Sequence, residues 1–594
     1  MKLLNPGPVN VTKGVRRALL RPDICHREEE FSRLLAGIRE RLARVTDSRR
    51  THAAALLTGS GTLAVEAMLA TYATRTLVLA NGVYGDRLGR ILAAHRVPFC
   101  KLEGPDGAFP ALSSVEEALE ADPRLEDIAL VHHETSTGVL NPLEAVARLA
   151  KKHGKKLFVD AVSSIGSERI ALKDIDFLAG SAGKCLHGYP GVSFVLVKKR
   201  WAAEGRRRGV YLDAAAALES QEDGSVAFTP AVQLFYAFDA ALKELEHEGL
   251  GTRIRRYASK SAFVRAGLKK MDLRLLAEDP AASHALTAVR LPPGLSYERL
   301  HDALKKRGFV IYAGQSALKD SIFRIAHMGA VGRHDLKRLL RLIGRVLRDN
   351  RRRMPTAIVL AAGVGRRLAR HTTALPKCLV PLSRSGETLL SRYFDSFRAC
   401  GIRRVVLVTG HHERLIRRAV REYGRGLRVR IIHNRDYRKG SVLSLYRASA
   451  ALNGEALIMD ADVYFPTEAL VRLLAAGGSA FLMDPRSKGT GEEMMLMARG
   501  TRIAAISKKT DKRLKPVGEA TGLAKFSKAD ARTLRSILKD FYRKKRNGVE
   551  YEEAYGELLK RTPVTAVPVG GLFWTEMDFE SDLKKIRAHL TIPK

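Results

Sequence analysis

The chain has 594 residues, of which 45% are hydrophobic and 28% are charged, so its composition excludes a fibrous repeat or wholesale disorder. The net charge of +39 is spread over both halves and predicts a basic surface that attracts phosphorylated or phosphonylated anions. The five cysteines form no CxxC pair, and the N-terminus has no long apolar segment. We therefore expect a cytoplasmic protein without disulfides or membrane insertion.

Short apolar runs alternate with helical stretches between Ala53 and about Lys199. This alternation is typical of a parallel or mixed sheet covered by helices, the α/β class. Its predicted strands lie at 76–82, 127–134, 155–164 and 193–199. Between about Arg253 and Asp349, a smaller α+β segment is predicted, with strands in TAVRLP, GFVIYAG and SIFRIAHMG.

A helix is predicted at the boundary between two halves of the chain. Apolar residues recur at helical spacing from Asp335, and an arginine run at 351–353 precedes Pro355. A second α/β pattern then begins, with strands in TAIVLAAG and at 403–410, 427–434 and 455–465. We expect a large domain at 1–252, a small domain at 253–349, a linker at 350–355 and a further domain at 356–594.

Three strings in the first half carry candidate chemistry. Lys184 follows a predicted strand and precedes a glycine-rich turn in GSAGKCLHGYPG, although an ordinary surface lysine also fits that loop. Asp160 ends another apolar strand, where a buried carboxylate needs a cationic partner such as a protonated pyridine nitrogen. Ser60, Gly61 and Thr62 lie where a strand meets a helix, and backbone N–H groups there can bind phosphate.

These strings belong to a larger set that resembles the class V, fold-type I pyridoxal-phosphate aminotransferases. The set also includes NPGPVNVT (5–12), DICHREEEF (23–31), NGVYGDR (81–87), HETSTGVLNP (133–142) and FRIAHMG (323–329). Within that family it is most similar to the 2-aminoethylphosphonate–pyruvate transaminases. The resemblance covers about residues 1–345 and implies a large α/β domain, a small α+β domain and pyridoxal 5′-phosphate as cofactor.

The resemblance implies a role for each matching residue. Lys184 would bind the cofactor and move the proton at the amine carbon, while Asp160 would keep the pyridine nitrogen protonated. The other implied cofactor contacts are Tyr84 stacked on the ring, Thr135 near the ring oxygen, Ser60, Gly61 and Thr62 at the phosphate, and Thr229 at the phosphate of a neighbouring subunit. The last contact implies a homodimer.

Arg324 resembles the arginine that holds a substrate carboxylate through two parallel hydrogen bonds, and a surface ion pair is its alternative. Gly183 replaces the asparagine usual in the family, so any contact from that side chain is lost. His26 and Arg27 are candidates for binding the phosphonate, although a solvated helix start explains them as well.

A glycine loop opens the second half. Gly363 and Gly365 follow the strand TAIVLAAG, with Arg367 and then Lys377 downstream. Glycines let the backbone approach triphosphate oxygens, and the two cations would neutralise the charge of leaving pyrophosphate. The combination AAGxGxRL and PKxLVPL resembles sugar-1-phosphate and phosphocholine nucleotidyltransferases, which implies a Rossmann-like (GT-A-like) α/β domain. It matches neither GxGxxG nor a P-loop.

Two acidic pairs in this half are candidates for binding Mg²⁺. By resemblance, Asp462 and Asp578 would hold the ion, with Asp460 and Glu576 as helpers, although plain solvation could also explain such pairs. NRDYRKGSVLSL resembles the acceptor-side loop, with Asn434 and Ser444 as possible substrate ligands. The GEATG string near Glu519 lies where such folds close over the acceptor.

Joined in one chain, the resemblances imply a bifunctional transferase. It would convert phosphonoacetaldehyde to 2-aminoethylphosphonate with alanine as amino donor, and then transfer CMP from CTP, for phosphonate tailoring of lipids or glycans. One alternative is an alanine–glyoxylate-type transaminase joined to a sugar-1-phosphate or phosphocholine nucleotidyltransferase. A nucleic-acid-binding protein is the other, but the sequence has no zinc finger, RNP aromatic pair or concentrated basic tail.

Overall fold

A computed structural model describes residues 1–104, 107–206, 208–487, 493–500, 502–509, 511 and 513–591, with residues 366, 369 and 370 described by their backbone only. The chain divides into two compact units. The first comprises Met1–Leu291 and Ser296–Val346, and the second comprises Pro292–Leu295 and the chain from Leu347 onward. None of the helices in the described part is both long and apolar enough to span a bilayer.

The first unit contains fourteen described strands and ten helices, followed by a helix shared with the second unit. The strands β1 to β14 are Lys2–Leu3, His52–Gly59, Thr76–Ala80, Phe99–Glu103, Asp127–Val131, His133–Glu134, Val139–Leu140, Lys156–Asp160, Phe177–Ser181, Gly191–Lys198, Leu286–Arg290, Phe309–Val310, Tyr312–Ala313 and Ile322–Ala326. The helices α1 to α11 are Lys13–Ala18, Glu29–Val45, Gly61–Tyr72, Val83–Ala94, Leu112–Ala121, Leu143–Lys152, Ala214–Glu222, Val232–Glu248, Leu250–Lys269, Tyr297–Lys305 and Arg333–Arg353.

The main sheet of this unit has the strand order β2-β10-β9-β8-β5-β3-β4. Strands β9, β8, β5, β3 and β4 run parallel, and β10 is antiparallel to β2 and β9. Strands β3, β5 and β9 are buried along their whole length, as expected where helices cover both faces of a parallel sheet. The predicted α/β class is confirmed.

The smaller sheet of the first unit has the order β11-β14-β13, all antiparallel. The sequence predicted one strand in GFVIYAG, and the structure has two short ones. Strand β12 pairs with β1 near the N-terminus, whereas β13 pairs with β14, so the chain changes pairing partner in the middle of the run. The predicted helix from Asp335 is α11, which extends through Arg353 and so includes the first residues assigned to the linker.

The second unit has eleven described strands and eight further helices. The strands β15 to β25 are Thr356–Ala361, Arg404–Thr409, Arg428–His433, Ala456–Asp460, Val463–Tyr464, Ala480–Asp484, Met495–Arg499, Arg502–Ser507, Lys515–Phe526, Thr565–Pro568 and Thr575–Glu576. The helices α12 to α19 are Ala369–Thr372, Leu389–Ala399, Glu413–Tyr423, Ser441–Arg447, Thr467–Ala475, Lys528–Arg543, Tyr551–Leu559 and Glu580–Thr591.

Its sheet begins with four parallel strands in the order β17-β16-β15-β18 and continues through β23, β20 and β24. Strand β23 is antiparallel to both β18 and β20, and the hairpin of β21 and β22 extends from it. A separate two-stranded pairing joins β19 to β25. That pairing brings two distant acidic segments together at the carboxyl ends of the parallel strands.

Candidate active sites

The first candidate site is a cavity of about 330 Å³ at the carboxyl ends of the parallel strands of the first unit. Asp160 ends β8, and Lys184 follows β9. Ligands bind at this edge of open α/β sheets because the loops there converge. The cavity is lined by these two residues together with Ser60, Gly61, Thr62 and Tyr84, so six predicted cofactor contacts lie around one space.

Asp160 is a buried carboxylate. It accepts a hydrogen bond from the backbone N–H of Val162 at 2.9 Å, and among the described residues it has no ion-pair partner within 4.0 Å. Burial raises the pKa of Asp160 to about 6, and the nearby charge of Glu134 acts in the same direction. A carboxylate in this state favours a cationic partner, and the pyridinium nitrogen of pyridoxal phosphate fits that requirement.

The amine of Lys184 points toward the N-terminal loop and donates a hydrogen bond to the carbonyl of Pro6. Burial lowers the pKa of Lys184, and the charges of Arg324 and Arg87 lower it further, which favours the neutral, nucleophilic amine. A Cβ atom on Gly7, whose φ is +137°, would lie 2.6 Å from the Lys184 Nζ. Glycine at this position therefore leaves room for the lysine amine.

The predicted phosphate-binding turn, Ser60 to Thr62, which we call the phosphate cup, lies at the start of α3, where Ser60 is the N-cap residue. Gly61 fits closely, because a Cβ atom there would lie 2.6 Å from Val162. The sequence did not single out Arg87, whose guanidinium donates to the Thr62 hydroxyl at 2.9 Å and lies 4.5 Å from the centre of the Tyr84 ring. Arg87 lines the cavity and adds a cation beside the cup.

Glu134, which the sequence analysis also did not single out, fixes the position of Tyr84. Its buried carboxylate accepts the backbone N–H groups of Tyr84 at 3.0 Å and Gly85 at 3.1 Å. These groups belong to the first turn of α4 and have no partner within the helix. Burial raises the pKa of Glu134, and the hydrogen bonds that it accepts oppose this shift.

Arg324 lies on β14 with only 2% of its surface exposed. It donates to the carbonyls of Ala313 and Thr135, each at 2.8 Å, and to the Gln315 side chain at 3.0 Å. No carboxylate of the described residues lies within ion-pair distance of Arg324. This buried cation is therefore a suitable partner for a substrate carboxylate.

Five predicted residues are not part of the cavity lining: Arg324, Thr135, Thr229, His26 and Arg27. Thr135 is buried, and its carbonyl holds Arg324, whereas Thr229 is exposed in the loop between α7 and α8. His26 and Arg27 also lie outside the lining, and Arg27 is exposed. Gly183, at the position where the family has asparagine, leaves no space for a side chain, because a Cβ atom there would lie 2.8 Å from the backbone of Pro190.

The second candidate site is a cavity of about 540 Å³ at the carboxyl ends of β15 and β18. The predicted residues in its lining are Gly363, Gly365, Lys377, Ser444, Asp462 and Asp578, together with the helpers Asp460 and Glu576. Gly365 adopts a φ of +67°, which lets the loop turn back over the strand end. Thr372 holds this turn by donating from its hydroxyl to the Gly365 carbonyl at 2.8 Å.

Strand pairing brings the two acidic segments together. Val463 in β19 pairs with Glu576 in β25, and the Met577 N–H donates to the Asp462 carbonyl at 2.8 Å. Lys377 donates to Asp462 at 2.8 Å and also to Asp578. Its ammonium therefore bridges the two carboxylates that were predicted to hold metal.

The charges of Lys377 and the aspartates are tightly coupled. Burial lowers the pKa of Lys377, but Asp462 and Asp578 raise it more, so the net shift is upward. Burial raises the pKa of Asp578, but Lys377 and Arg367 outweigh that effect and lower it. Two carboxylates that share one cation are a donor set suited to Mg²⁺, which prefers carboxylate oxygens.

Arg367 and Asn434 contribute from outside the lining. Arg367 is exposed at the rim of the cavity. Its guanidinium donates to the Asp578 carboxylate, with 2.9 Å between the two atoms. Asn434 is buried and donates to the Ser444 hydroxyl at 3.0 Å, so it positions a residue that does line the cavity. Asn434 therefore acts on the cavity through Ser444 in this structure.

One wall of this cavity is strongly acidic, although the protein as a whole is basic. Among the residues that the structure describes, the lining has three basic side chains, Lys377, Arg438 and Lys508, and eight carboxylates, Asp460, Asp462, Glu493, Glu519, Glu550, Glu552, Glu576 and Asp578. The start of α18, which supplies Tyr551 and Glu552, was not predicted as part of the site. The Tyr551 hydroxyl donates to Asp460.

The pKa values of this wall are raised chiefly by burial and further by neighbouring carboxylates. Burial raises the pKa of Glu552 to about 7, and burial together with the charges of Asp462 and Asp578 does the same for Glu576. Burial and the neighbouring Asp462 raise the pKa of Asp460 well above its usual range. A cationic group placed against this wall would stabilise the ionised carboxylates.

Two family models match the chain in separate regions. The model for class V aminotransferases matches residues 96–336, and the model for the MobA-like NTP transferase domain matches residues 357–525. The 2-aminoethylphosphonate–pyruvate transaminase of Syntrophobacter fumaroxidans is 35% identical over 351 residues, which are 57% of this chain and 94% of that protein. The enzyme of the same name from Klebsiella pneumoniae is 36% identical over 359 residues, 57% of this chain and 96% of the relative.

Solved structures match the same part of the chain. An aspartate aminotransferase of subgroup IV from Thermus thermophilus is 32% identical, with a TM-score of 0.55, over 59% of this chain and 99% of that one. The pyridoxamine–pyruvate aminotransferase of Mesorhizobium loti is 28% identical, with a TM-score of 0.55, over 59% of this chain and 92% of that one. These matches confirm the predicted fold-type I architecture.

Proposed function

Because the chain belongs to the class V aminotransferases and carries a MobA-like NTP transferase domain at residues 357–525, we propose that it has two activities. It makes 2-aminoethylphosphonate and then activates this product. The first unit transfers an amino group from alanine to phosphonoacetaldehyde, leaving pyruvate. The second unit transfers CMP from CTP to the amine product, giving CMP-2-aminoethylphosphonate and pyrophosphate. These products would serve phosphonate tailoring of lipids or glycans.

In the transaminase, pyridoxal 5′-phosphate supplies an electron-accepting ring that stabilises negative charge at the substrate carbon. The ionised Asp160 keeps the ring nitrogen protonated. The Lys184 amine, whose pKa burial lowers, removes the proton from the amine-bearing carbon and returns it to the acceptor. Ser60, Gly61 and Thr62 bind the phosphate, and Arg324 orients the carboxylate of alanine or pyruvate.

Borohydride reduction tests the cofactor assignment. We expect the purified protein to be yellow with pyridoxal phosphate and, after reduction, to carry a stable adduct on the peptide that contains Lys184. Lys184→Arg should carry no adduct. A colourless protein that stays unmodified at Lys184 after incubation with the cofactor and borohydride would contradict this half of the proposal.

In the nucleotidyltransferase, an oxygen of the phosphonate attacks the α-phosphorus of CTP while the bond from that phosphorus to the β-phosphate oxygen breaks. The phosphonate is already ionised, so no general base is required. The glycine loop binds the triphosphate, and Lys377 and Arg367 stabilise the developing charge. Asp462 and Asp578 would hold Mg²⁺, which supplies further charge neutralisation.

The observation that carries the acceptor assignment is the acidic wall around Asp460 and Glu552. A sugar phosphate offers only hydroxyls and negative charge to such a wall. The ammonium group of 2-aminoethylphosphonate offers the missing positive charge, while its phosphonate faces Lys377. The same wall would accept phosphocholine, but the fused transaminase favours the aminophosphonate.

A pyrophosphate-release screen tests nucleotide and acceptor together. We expect CTP to exceed UTP, ATP and GTP, and 2-aminoethylphosphonate to exceed phosphocholine and sugar phosphates. The matched acceptor 2-hydroxyethylphosphonate, which lacks the ammonium, should react far more slowly. Preference for a sugar 1-phosphate, together with preference for glyoxylate over phosphonoacetaldehyde, would favour the alternative of an alanine–glyoxylate-type transaminase joined to a sugar nucleotidyltransferase.

A homodimer is part of the proposal. Thr229 lies in a loop beside Val210, Tyr211 and Phe228, which are 84%, 49% and 44% exposed. A second copy would cover these apolar side chains and bring Thr229 to its phosphate cup. Light scattering of the purified protein should give twice the mass of the chain, and a monomer that is fully active in transamination would contradict this arrangement.

A further inference from the structure

One buried polar atom of the first cavity has no role in the proposed mechanism. His133 lies in β6, is almost fully buried and lines the same cavity as Lys184 and Asp160. Its Nε2 has no hydrogen-bond partner among the described residues. A buried polar atom left without a partner costs about 1 to 3 kcal/mol, so native structures rarely retain one unless a ligand completes the contact.

The other ring nitrogen fixes the chemical character of Nε2. The Nδ1 of His133 lies 3.2 Å from the backbone carbonyl of Ser163. A carbonyl can only accept, so Nδ1 carries the proton and donates it. Burial, together with the charge of Lys184, lowers the pKa of His133 to about 4, so the ring stays neutral. Nε2 therefore offers a lone pair to the cavity and requires a donor there.

None of the described residues donates to this lone pair, so we look for the donor in the proposed cofactor. Pyridoxal phosphate offers two hydrogen-bond donors, the protonated ring nitrogen and the ring hydroxyl. Its phosphate group accepts hydrogen bonds and is not a candidate. The ring nitrogen is assigned to Asp160, which needs a cation. His133 also stands two residues before Thr135, which the resemblance associates with the ring oxygen.

We propose that His133 is a positioning residue whose Nε2 accepts a hydrogen bond from the ring hydroxyl of pyridoxal phosphate. The proposal rests on the cofactor assignment made above. An acceptor facing this hydroxyl stabilises its protonated form over the phenolate. His133 therefore sets the protonation state, and with it the colour, of the bound cofactor before any substrate arrives.

Two substitutions separate this role from a merely structural one. His133→Asn keeps a donor for the Ser163 carbonyl and removes the atom at the Nε2 position. His133→Gln instead extends a side-chain amide far enough to present an oxygen near that position. His132→Asn is the matched control, because His132 is a buried neighbour that is not part of the cavity lining and bonds the Ser164 hydroxyl.

The readouts are the absorption spectrum of the substrate-free holoenzyme across pH and the dissociation constant of the cofactor. For His133→Asn we expect a larger fraction of the phenolate form, a spectral transition at lower pH, and cofactor binding weakened about two- to tenfold, as for one lost hydrogen bond. His133→Gln should lie close to the wild type, and His132→Asn should match it.

A His133→Asn spectrum and cofactor affinity equal to those of the wild type would overturn the proposal. Equal spectral and affinity changes in His133→Asn and His133→Gln would also overturn the proposal. A change confined to the KM for the amine substrate would do the same. If the wild-type chain gains neither a visible nor a near-ultraviolet cofactor band and no borohydride adduct at Lys184, the proposed function fails rather than the role of His133. Circular dichroism of each variant excludes loss of folding as the cause.

Discussion

The ammonium of Lys377 donates a hydrogen bond to the carboxylate of Asp462 at 2.8 Å. The same ammonium reaches Asp578, so a lysine stands between the two residues proposed to hold Mg²⁺. In the proposed function, binding of the ion displaces Lys377 from the aspartates. We propose the triphosphate as its new partner, because a cation there stabilises the charge of the leaving group.

Replacing Lys377 should separate metal binding from catalysis. Lys377→Gln removes the cation that competes with Mg²⁺, so we expect metal affinity to rise about tenfold or more, given the strength of a close charge pair. The rate of pyrophosphate release should fall about 10²- to 10³-fold, because transition-state charge is no longer stabilised. Calorimetric Mg²⁺ titration measures the first effect. The exposed Lys560→Gln is the control, and weaker metal binding in Lys377→Gln would contradict this account.

Replacing Asp462 should affect one activity only. Asp462→Asn removes a proposed metal ligand, so we expect pyrophosphate release from CTP to fall about 10²- to 10³-fold or more. Transamination by the same preparation should equal that of the wild type, because Lys184 and Asp160 belong to the other compact unit. Asp395→Asn, on the surface of the second unit, should change neither rate. Loss of both activities in Asp462→Asn would refute the model of two independent sites.

Replacing Asp160 should lower the rate of transamination and remove the pH dependence of cofactor binding. Asp160→Asn can still accept the Val162 N–H but carries no charge, so transamination should fall about 10²- to 10³-fold. In the wild-type apoprotein, the pKa of Asp160 is raised to about 6 by burial. Cofactor affinity should therefore weaken as the pH falls through 6, because the protonated acid no longer pairs with pyridinium.

The control for this experiment is the exposed Asp302→Asn, which should keep both the rate and the pH dependence. Cofactor dissociation constants measured by fluorescence between pH 5 and pH 8 provide the comparison. Parallel pH profiles for Asp160→Asn and the wild type would show that another group causes the effect.

His327 should make the stability of the first unit depend on pH. Burial lowers the pKa of His327 to about 3, and its Nδ1 lies 3.0 Å from the His284 carbonyl. Below pH 6.5 the unfolded chain binds a proton that the native ring does not, so the free energy of unfolding falls as the pH decreases from 6.5 toward 3. One such group contributes at most about 1.4 kcal/mol per pH unit.

His327→Asn keeps the donor to the carbonyl but cannot titrate. We expect the variant to be less stable than the wild type at pH 7.5, and the difference to narrow steadily below pH 6.5. Urea unfolding followed by Trp201 fluorescence in a Trp574→Phe background reports on the first unit, because each unit contains one of the two tryptophans. A difference in free energy that stays constant from pH 7.5 to pH 5 would exclude His327 as the source.

The sequence predicted those parts of the sites that are local in the chain. Lys184, Asp160 and the Ser60–Thr62 turn each adjoin a strand end, where apolar runs and glycines mark the position, and the structure places them around one cavity. The choice of Asp462 and Asp578 as the proposed metal pair came from the resemblance. Asp462 and Asp578 meet through the pairing of β19 with β25, and strands of two residues leave no periodic signal.

The site residues that the sequence did not predict make contacts with residues far away in the chain or lie in short elements. Glu134 stabilises the start of α4 from 50 residues away, and Arg87 reaches back to Thr62. Both lie in strings that were quoted for the resemblance, but only the fold reveals their partners. The acidic wall draws on residues from several elements, including Glu519 in β23 and Glu552 in α18, which no local pattern connects.

Coupling the two reactions tests the central claim most directly. Wild-type protein is supplied with phosphonoacetaldehyde, L-alanine, pyridoxal phosphate, CTP and Mg²⁺, and pyrophosphate release is followed. We expect release from the wild type, none from Lys184→Ala, and full recovery of that variant when 2-aminoethylphosphonate is added. Absence of pyrophosphate release from the wild type with 2-aminoethylphosphonate and CTP would contradict the account.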